Sequence, residues 1–150
     1  IPIEIPDKIS EVNIRDIMQE TEVDQKYYFK DKLISGTKHI KLSNSKSGII
    51  KVFDISRDFL KDNERQRRVY SPNGKSPTLL ARSDTTKIFY KNKLRKLTPL
   101  ECERLQGIPD NYTSIVSDTQ RYKSIGNSFT VPVISHILSG IGKVKKKQLG

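Results

Sequence analysis

The sequence predicts an α+β chain: a small, mostly β unit with short helices, followed by one longer amphipathic helix near its C-terminal end. Three observations carry this. Thr98–Gly107 has both ends of a short helix written into its residues. Branched apolar runs at 48–54 and 87–90 lie on either side of a Ser-Pro-Asn-Gly turn at 71–74, the mark of strands around a tight reversal. From Val133 to Ile141 apolar residues return every three or four positions, the period of a helix with one buried face.

In chain order, Ile1–Pro6 alternates apolar and polar residues as an extended segment, with Pro2 and Pro6 restricting it to an edge or a connection. Ser10–Glu20 places Val12, Ile14, Ile17 and Met18 at helical spacing behind Ser10 as N-cap, which predicts a short amphipathic helix. Thr21–Lys32 is polar around Tyr27, Tyr28 and Phe29, aromatics that read as core or interface filling in preference to a platform for stacking bases. Leu33–Phe53 is undecided except for GIIKVFD, 48–54, which reads as a strand.

Asp62–Lys75, DNERQRRVYSPNGK, sets Arg65, Arg67 and Arg68 before a Val-Tyr strand start and the turn. Ser76–Ser83 leads away on the other side, and Lys87–Tyr90 reads as a further strand. Guanidiniums and hydroxyls gathered in this way suit phosphates and the acceptor-rich edge of guanine. They equally suit a solvated basic edge that guards against strand pairing, and the charge pattern leaves both readings open.

The stretch RKLTPLECERLQGIPD, 95–110, carries the densest local signal. Thr98 can cap a helix, Glu101 can reach back to it, and Pro99 suits the first helical position. Leu97 then faces Cys102, while Gly107 and Pro109 end the helix. Asn111–Gln120 reads as a polar surface connection, and Gly126-Asn127 as a turn feeding the helix that starts near Val133. A helix start behind Gly-Asn-Ser offers amides to an anionic group, although most such turns are simple caps.

Composition narrows the partners. Lys and Arg number 28 against 17 Asp and Glu, a net charge of +11 with a pI near 9.8, which favours an anionic partner, nucleic acid first. Residues 1–30 hold four basic and seven acidic side chains, leaving 24 basic and ten acidic residues downstream, so the positive footprint lies beyond the opening segment. One cysteine excludes an internal disulfide and fits a reducing compartment. His39, Cys102 and His136 are too far apart in sequence for metal-ligand spacing, so no metal is expected. There is no apolar run near the length of a membrane span. The chain begins at Ile1, from which a longer parent is expected.

Two stretches go beyond physics. RKLTPLECERLQGIPD and, after it, YKSIGNSFTVPV at 122–133 resemble the last two motifs, IX and X, of the DNA cytosine-5 methyltransferases. Arg68-Val69-Tyr70-Ser71 and Thr78-Leu79 are similar to the core of that family's target-recognition domain. The resemblance implies a target-recognition domain at 1–113 including motif IX. It further implies a motif X segment at 114–150 that returns to an α/β S-adenosylmethionine-dependent domain, with 140–147 as a basic tail. That α/β domain would come from an N-terminal region or a partner chain.

Arg65, Arg67, Arg68, Tyr70, Ser71, Thr78, Arg82 and Lys87 are the implied DNA-binding positions, Thr78 against the DNA backbone. Asn127 and Ser128 are implied at the methionine end of the cofactor. Phe129 and Leu100 depart from the family pattern at the cofactor edge and on the helix surface.

The chemistry implied is C5 methylation of cytosine in double-stranded DNA, in a bacterial or phage-encoded restriction-modification system of the cytoplasm. The chain carries no Pro-Cys dipeptide, Glu-Asn-Val element or Gly-rich cofactor loop, so no catalytic residue is assigned to it and it is expected to be inactive alone. A stand-alone DNA-binding module or regulator is the second expectation.

Overall fold

The computed structural model describes residues 12–35, 42–83 and 85–148, without the side chains of 35, 44 and 142–148. The expected extended segment at 1–6, the N-cap Ser10 and His39 lie outside it. The elements follow in the order α1 (Ile14–Ile17), a 3-10 turn (Gln25–Tyr27), α2 (Lys32–Ser35), β1 (Ser43–Asn44), β2 (Ile50–Asp54) and α3 (Glu64–Arg67). Then come β3 (Arg68–Tyr70), β4 (Lys87–Tyr90), β5 (Lys93–Lys96), α4 (Pro99–Gln106), α5 (Asp118–Asn127) and α6 (Val131–Gln148).

The strands form one sheet in sequence order, antiparallel except for the parallel pair β3 and β4. A hairpin cannot join parallel strands. The chain therefore travels from Ser71 to Thr86 before it pairs again, and this return path forms a wall of the site described below. β4 and β5 are joined through Lys91 and Asn92 at φ 48° and 58°, the two-residue left-handed turn that matches the twist of a hairpin.

Alternation along the strands sends side chains to two cores. Ile88 and Tyr70 face α1, α4 and α5, in a cluster with Ile14, Ile17, Leu97, Cys102, Tyr122 and Ile125. Val69 and Phe89 face the other way, with Val52, Phe53, Ile55 and Leu94, and Phe29, Leu33 and Leu60 close that side. The aromatics at 27–29 thus serve packing: Tyr27 joins the first cluster and Phe29 the second.

α4 forms as its residues predict. Glu101 N donates to Thr98 Oγ1 at 3.2 Å, Thr98 N donates to Glu101 Oε2 at 2.9 Å, and Gly107 adopts φ 69°. Leu97 and Cys102 share the first core.

Several expectations need correction. The helix expected over 10–20 is described as the single turn α1, in which Asn13 N donates to Asp16 Oδ2 at 2.7 Å. Val12, expected on its apolar face, is exposed, while Ile14 N and Arg15 N donate to Gly74 O and Pro72 O and fasten α1 to the 71–74 turn. β5 is absent from the expected strands because Lys-Leu-Arg-Lys reads as polar.

The connection expected over 111–120 ends at Ser117, and its last residues and the turn expected at 126–127 belong to α5, which runs through Gly126 and Asn127. Only Tyr122 and Ile125 of α5 are buried, too few apolar positions to reveal a helical period. α6 starts at Val131 and is not buried by this chain: Val131, Val133, Leu138 and Ile141 are 45%, 55%, 59% and 44% exposed. The basic residues expected as a tail belong to α6, which continues to Gln148.

Candidate nucleic-acid interface and cofactor-side element

The end of α3, the start of β3, the 77–80 segment and the 43–49 segment enclose an open cleft of about 640 Å³. Five of the eight implied DNA-binding residues meet there: Arg65, Arg68, Tyr70, Thr78 and Lys87. They do not play one part. Arg65 and Thr78 are exposed, and Tyr70 is half-buried with its ring against the first core. Arg68 donates from NH2 to Glu64 Oε1 at 2.7 Å, and its Nε is buried without a hydrogen-bond partner. Lys87 is 2% exposed and donates to Gln66 O at 2.9 Å, so its charge lies in the floor of the cleft.

The other three lie elsewhere. Arg67 points away, donating from NH1 to Ile55 O at 2.8 Å and from Nε to Asp62 O at 3.3 Å. Arg82 pairs with Asp62 at 3.0 Å. The Ser71 hydroxyl accepts from Asn73 N within the turn. Sequence reasoning missed the opposite wall, where Ser43, Ser45, Ser47 and Lys51 face the cleft. The signal was the run of small hydroxyl residues at 43–47, which lies in the stretch whose periodicity decides nothing.

Behind the cleft, α4 concentrates buried charge. Arg95 is brought to the α4 side by its register opposite Ile88, and meets Glu101 in a bidentate pair at 2.8 Å and 2.8 Å. Their side chains are 4% and 0% exposed. Glu101 also accepts from Gln19 N at 3.1 Å, so one carboxylate caps α4, neutralises β5 and holds the segment after α1. On the other side of α4, Glu103 accepts from Asn111 N at 2.8 Å, Thr113 N at 2.9 Å, the Thr113 hydroxyl and Arg121 NH2 at 3.1 Å.

Burial works to raise the pKa of Glu103, but the donors from Thr113, Arg121 and Asn111 outweigh it and hold the carboxyl below its usual range. A lowered folded value means stability that is present above the unfolded carboxylate pKa and lost as pH falls through the folded one. Glu103→Gln is therefore expected to destabilise at neutral pH, with the difference from wild type shrinking below about pH 4.3. Urea midpoints measured against pH check this; a gap that stays constant down to about pH 2 contradicts it.

Asn127 and Ser128 occupy the end of α5, where a turn leading into a helix was expected. Asn127 is exposed. Ser128 N and Oγ both donate to Ile125 O, at 3.1 Å and 2.7 Å, so the serine closes α5 and its amide is not open to an anion. Gln106 ties this end to α4: its Nε2 donates to Ile125 O at 3.1 Å, and its Oε1 accepts from the Thr130 hydroxyl at 2.6 Å. The N-terminal turn of α6 is set by Thr130, whose carbonyl accepts from Val133 N and Ile134 N. The start of α6 is thereby pinned to the end of α4.

Cys102 is 2% exposed and its thiol is pushed up to about 12, by burial first. At neutral pH it is a small apolar side chain, without nucleophilic character. No cluster of metal-ligating side chains occurs among the described residues, and no described helix is long and apolar enough to cross a membrane.

The family profile of C-5 cytosine-specific DNA methylases matches residues 3–143. The Type II methyltransferase M1.ScrFI of Lactococcus lactis subsp. cremoris is 39% identical over 133 residues, covering 85% of this chain and 31% of that protein. M.SsoII of Shigella sonnei is 35% identical over 138 residues, 88% of this chain and 32% of that protein. The chain thus spans about a third of the length of these relatives. Among solved structures, the Dnmt2 methyltransferase of S. pombe superposes with a TM-score of 0.60 at 16% identity, over 89% of this chain and 42% of that one, a likeness of fold.

Proposed function

The chain belongs to the C-5 cytosine-specific DNA methylase family, and on that premise we propose that it is the target-recognition and cofactor-side portion of an enzyme methylating cytosine C5 in double-stranded DNA. The observation that carries this reading is the cleft that gathers Arg65 from α3, Arg68 and Tyr70 from β3, and Thr78 from the segment between β3 and β4. Arg65 and Arg68 supply cations and donors, and Thr78 a hydroxyl for the DNA backbone. Lys87 contributes charge from the floor, while Arg67 and Ser71 hold the surrounding backbone in place and Arg82 pairs with the Asp62 carboxylate. Residues 1–113 are the recognition unit, and 114–150 the segment that returns to the cofactor-binding domain.

The reaction needs a thiolate to attack C6 of the extruded base and a donor for its ring nitrogen. Cys102 is sealed in the core, so both groups are assigned to the remaining two thirds of the enzyme, in the same chain or a partner. S-Adenosylmethionine supplies the methyl group. The exposed carboxamide of Asn127 can donate and accept at its methionine end, and the Ser128 oxygen retains a lone pair for a donor. These two residues fit a supporting edge of the cofactor site. The expected setting is a restriction-modification system in a bacterial cytoplasm.

A stand-alone DNA-binding module is the second reading. The uncovered apolar positions of α6 oppose it, because a solitary module would leave Val131, Val133, Leu138 and Ile141 in water. The test is reconstitution with a chain carrying the Pro-Cys and cofactor motifs, supplied with labelled S-adenosylmethionine. The chain alone is expected to transfer no methyl group, and the pair to label cytosine at defined sites. Sequence-specific DNA binding by the chain, with no methylation by any such pair, would favour the module.

A further inference from the structure

Gly126 stands inside α5 at ordinary helical backbone angles, where glycine brings no conformational advantage and weakens a helix. Its use is steric. A Cβ at this position would lie 2.4 Å from Leu80 C, 2.5 Å from Leu80 O and 2.5 Å from Ala81 N. The Leu80–Ala81 peptide is thus laid flat on α5, at a separation that no side chain allows. The same segment carries Thr78 and Leu80 on its other side, as the wall of the cleft. Arg82 N donates to Leu80 O at 2.8 Å and Lys96 Nζ to Ser83 O at 2.9 Å, so the segment is closed on itself and tethered at its far end.

We propose that Gly126 is a positioning residue for DNA recognition: it seats the 78–83 wall on α5 and so sets where Thr78 meets the DNA. This rests on the functional reading above. It also separates adjacent residues by role, Gly126 serving the recognition wall and Asn127 the cofactor edge. Because the obstruction is peptide backbone, trimming Leu80 or Ala81 cannot relieve it; the wall itself must move.

The experiment uses the complete methyltransferase with Gly126→Ala, and with Gly107→Ala for comparison. Gly107 is also hemmed in, but by the Pro132 ring of α6, whose Cδ would lie 2.7 Å from a Cβ, and not by the recognition wall. The Gly126→Ala enzyme is expected to show a KM for DNA raised about tenfold or more, with the KM for S-adenosylmethionine within about twofold of wild type. Gly107→Ala is expected to leave the KM for DNA unchanged. A folded Gly126→Ala enzyme with wild-type KM for DNA overturns the proposal, as does an equal rise in both KM values. Should Gly126→Ala fail to fold, hydrogen exchange in the wild-type enzyme decides. DNA should slow exchange in 78–83 and in the last turn of α5 together, and slowing of the wall alone overturns it. A wild-type complete enzyme that neither binds nor methylates DNA would instead sink the functional reading.

Discussion

Glu101→Ala is expected to be the most destabilising single substitution at a charged position in this chain. Removing one partner of a buried ion pair leaves the other charge stranded, at a cost of about 3–5 kcal/mol. That compares with a total stability of about 5–15 kcal/mol for a domain. Arg95 would be the stranded group, 3% exposed and left with the Lys96 carbonyl at 3.1 Å among its described hydrogen bonds. Loss of the α4 capping box adds about 0.5–2 kcal/mol. The double variant Arg95→Met, Glu101→Leu removes both charges and is expected to be markedly more stable than Glu101→Ala alone. Chemical denaturation of the complete protein checks both. A Glu101→Ala loss below about 1 kcal/mol, the value of an exposed pair, would contradict the burial on which the expectation rests.

Arg65→Ala and Arg68→Ala are expected to weaken DNA binding by about tenfold or more each, the usual cost of removing an arginine that touches nucleic acid. For every phosphate that is no longer neutralised, the slope of log affinity against log salt should fall by about 0.9. Arg68 is held by Glu64 at 2.7 Å, but the two side chains are 35% and 64% exposed. An exposed pair of this kind is weak, so DNA can take the place of Glu64 at little cost. Arg67→Ala is the control within the same cluster. Its guanidinium fastens the Ile55 and Asp62 carbonyls, so its removal should lower stability and leave the salt slope intact. Filter binding across a salt series separates these outcomes, and an unchanged slope in the Arg65 and Arg68 variants would remove both residues from the interface.

These expectations show where the sequence is informative about a site and where it is not. Arg65, Arg67 and Arg68 form one basic run, and the run alone treats them as equivalent. α3 is a single turn that ends where β3 begins, so successive arginines leave the backbone in different directions. Arg65 and Arg68 reach the cleft and Arg67 its back. Lys87 is similar: its position on a strand was legible, but the choice of face depends on pairing with β3 and β5. Ser45 and Ser47 stand in a run of small hydroxyl residues, but their segment has no period that would place it; they reach the cleft through the pairing of β1 with β2.

What the residues determined by themselves is local: the caps of α4, the turn at 71–74, strands β2, β3 and β4, and the two motifs that carry the family resemblance. The caps and the turn rest on interactions within about four residues, and the strands are marked by runs of branched and aromatic residues, both of which the sequence displays directly. The tertiary structure decided the rest. It made α5 a helix by burying Tyr122 and Ile125, turned polar β5 into a core strand by pairing Arg95 with Glu101, and left α6 uncovered. It also gave Gly126 its purpose, against a peptide far earlier in the chain. The reason is physical: the cost of burying a charge or omitting a side chain is met only by a partner, and partners distant in sequence are set by packing.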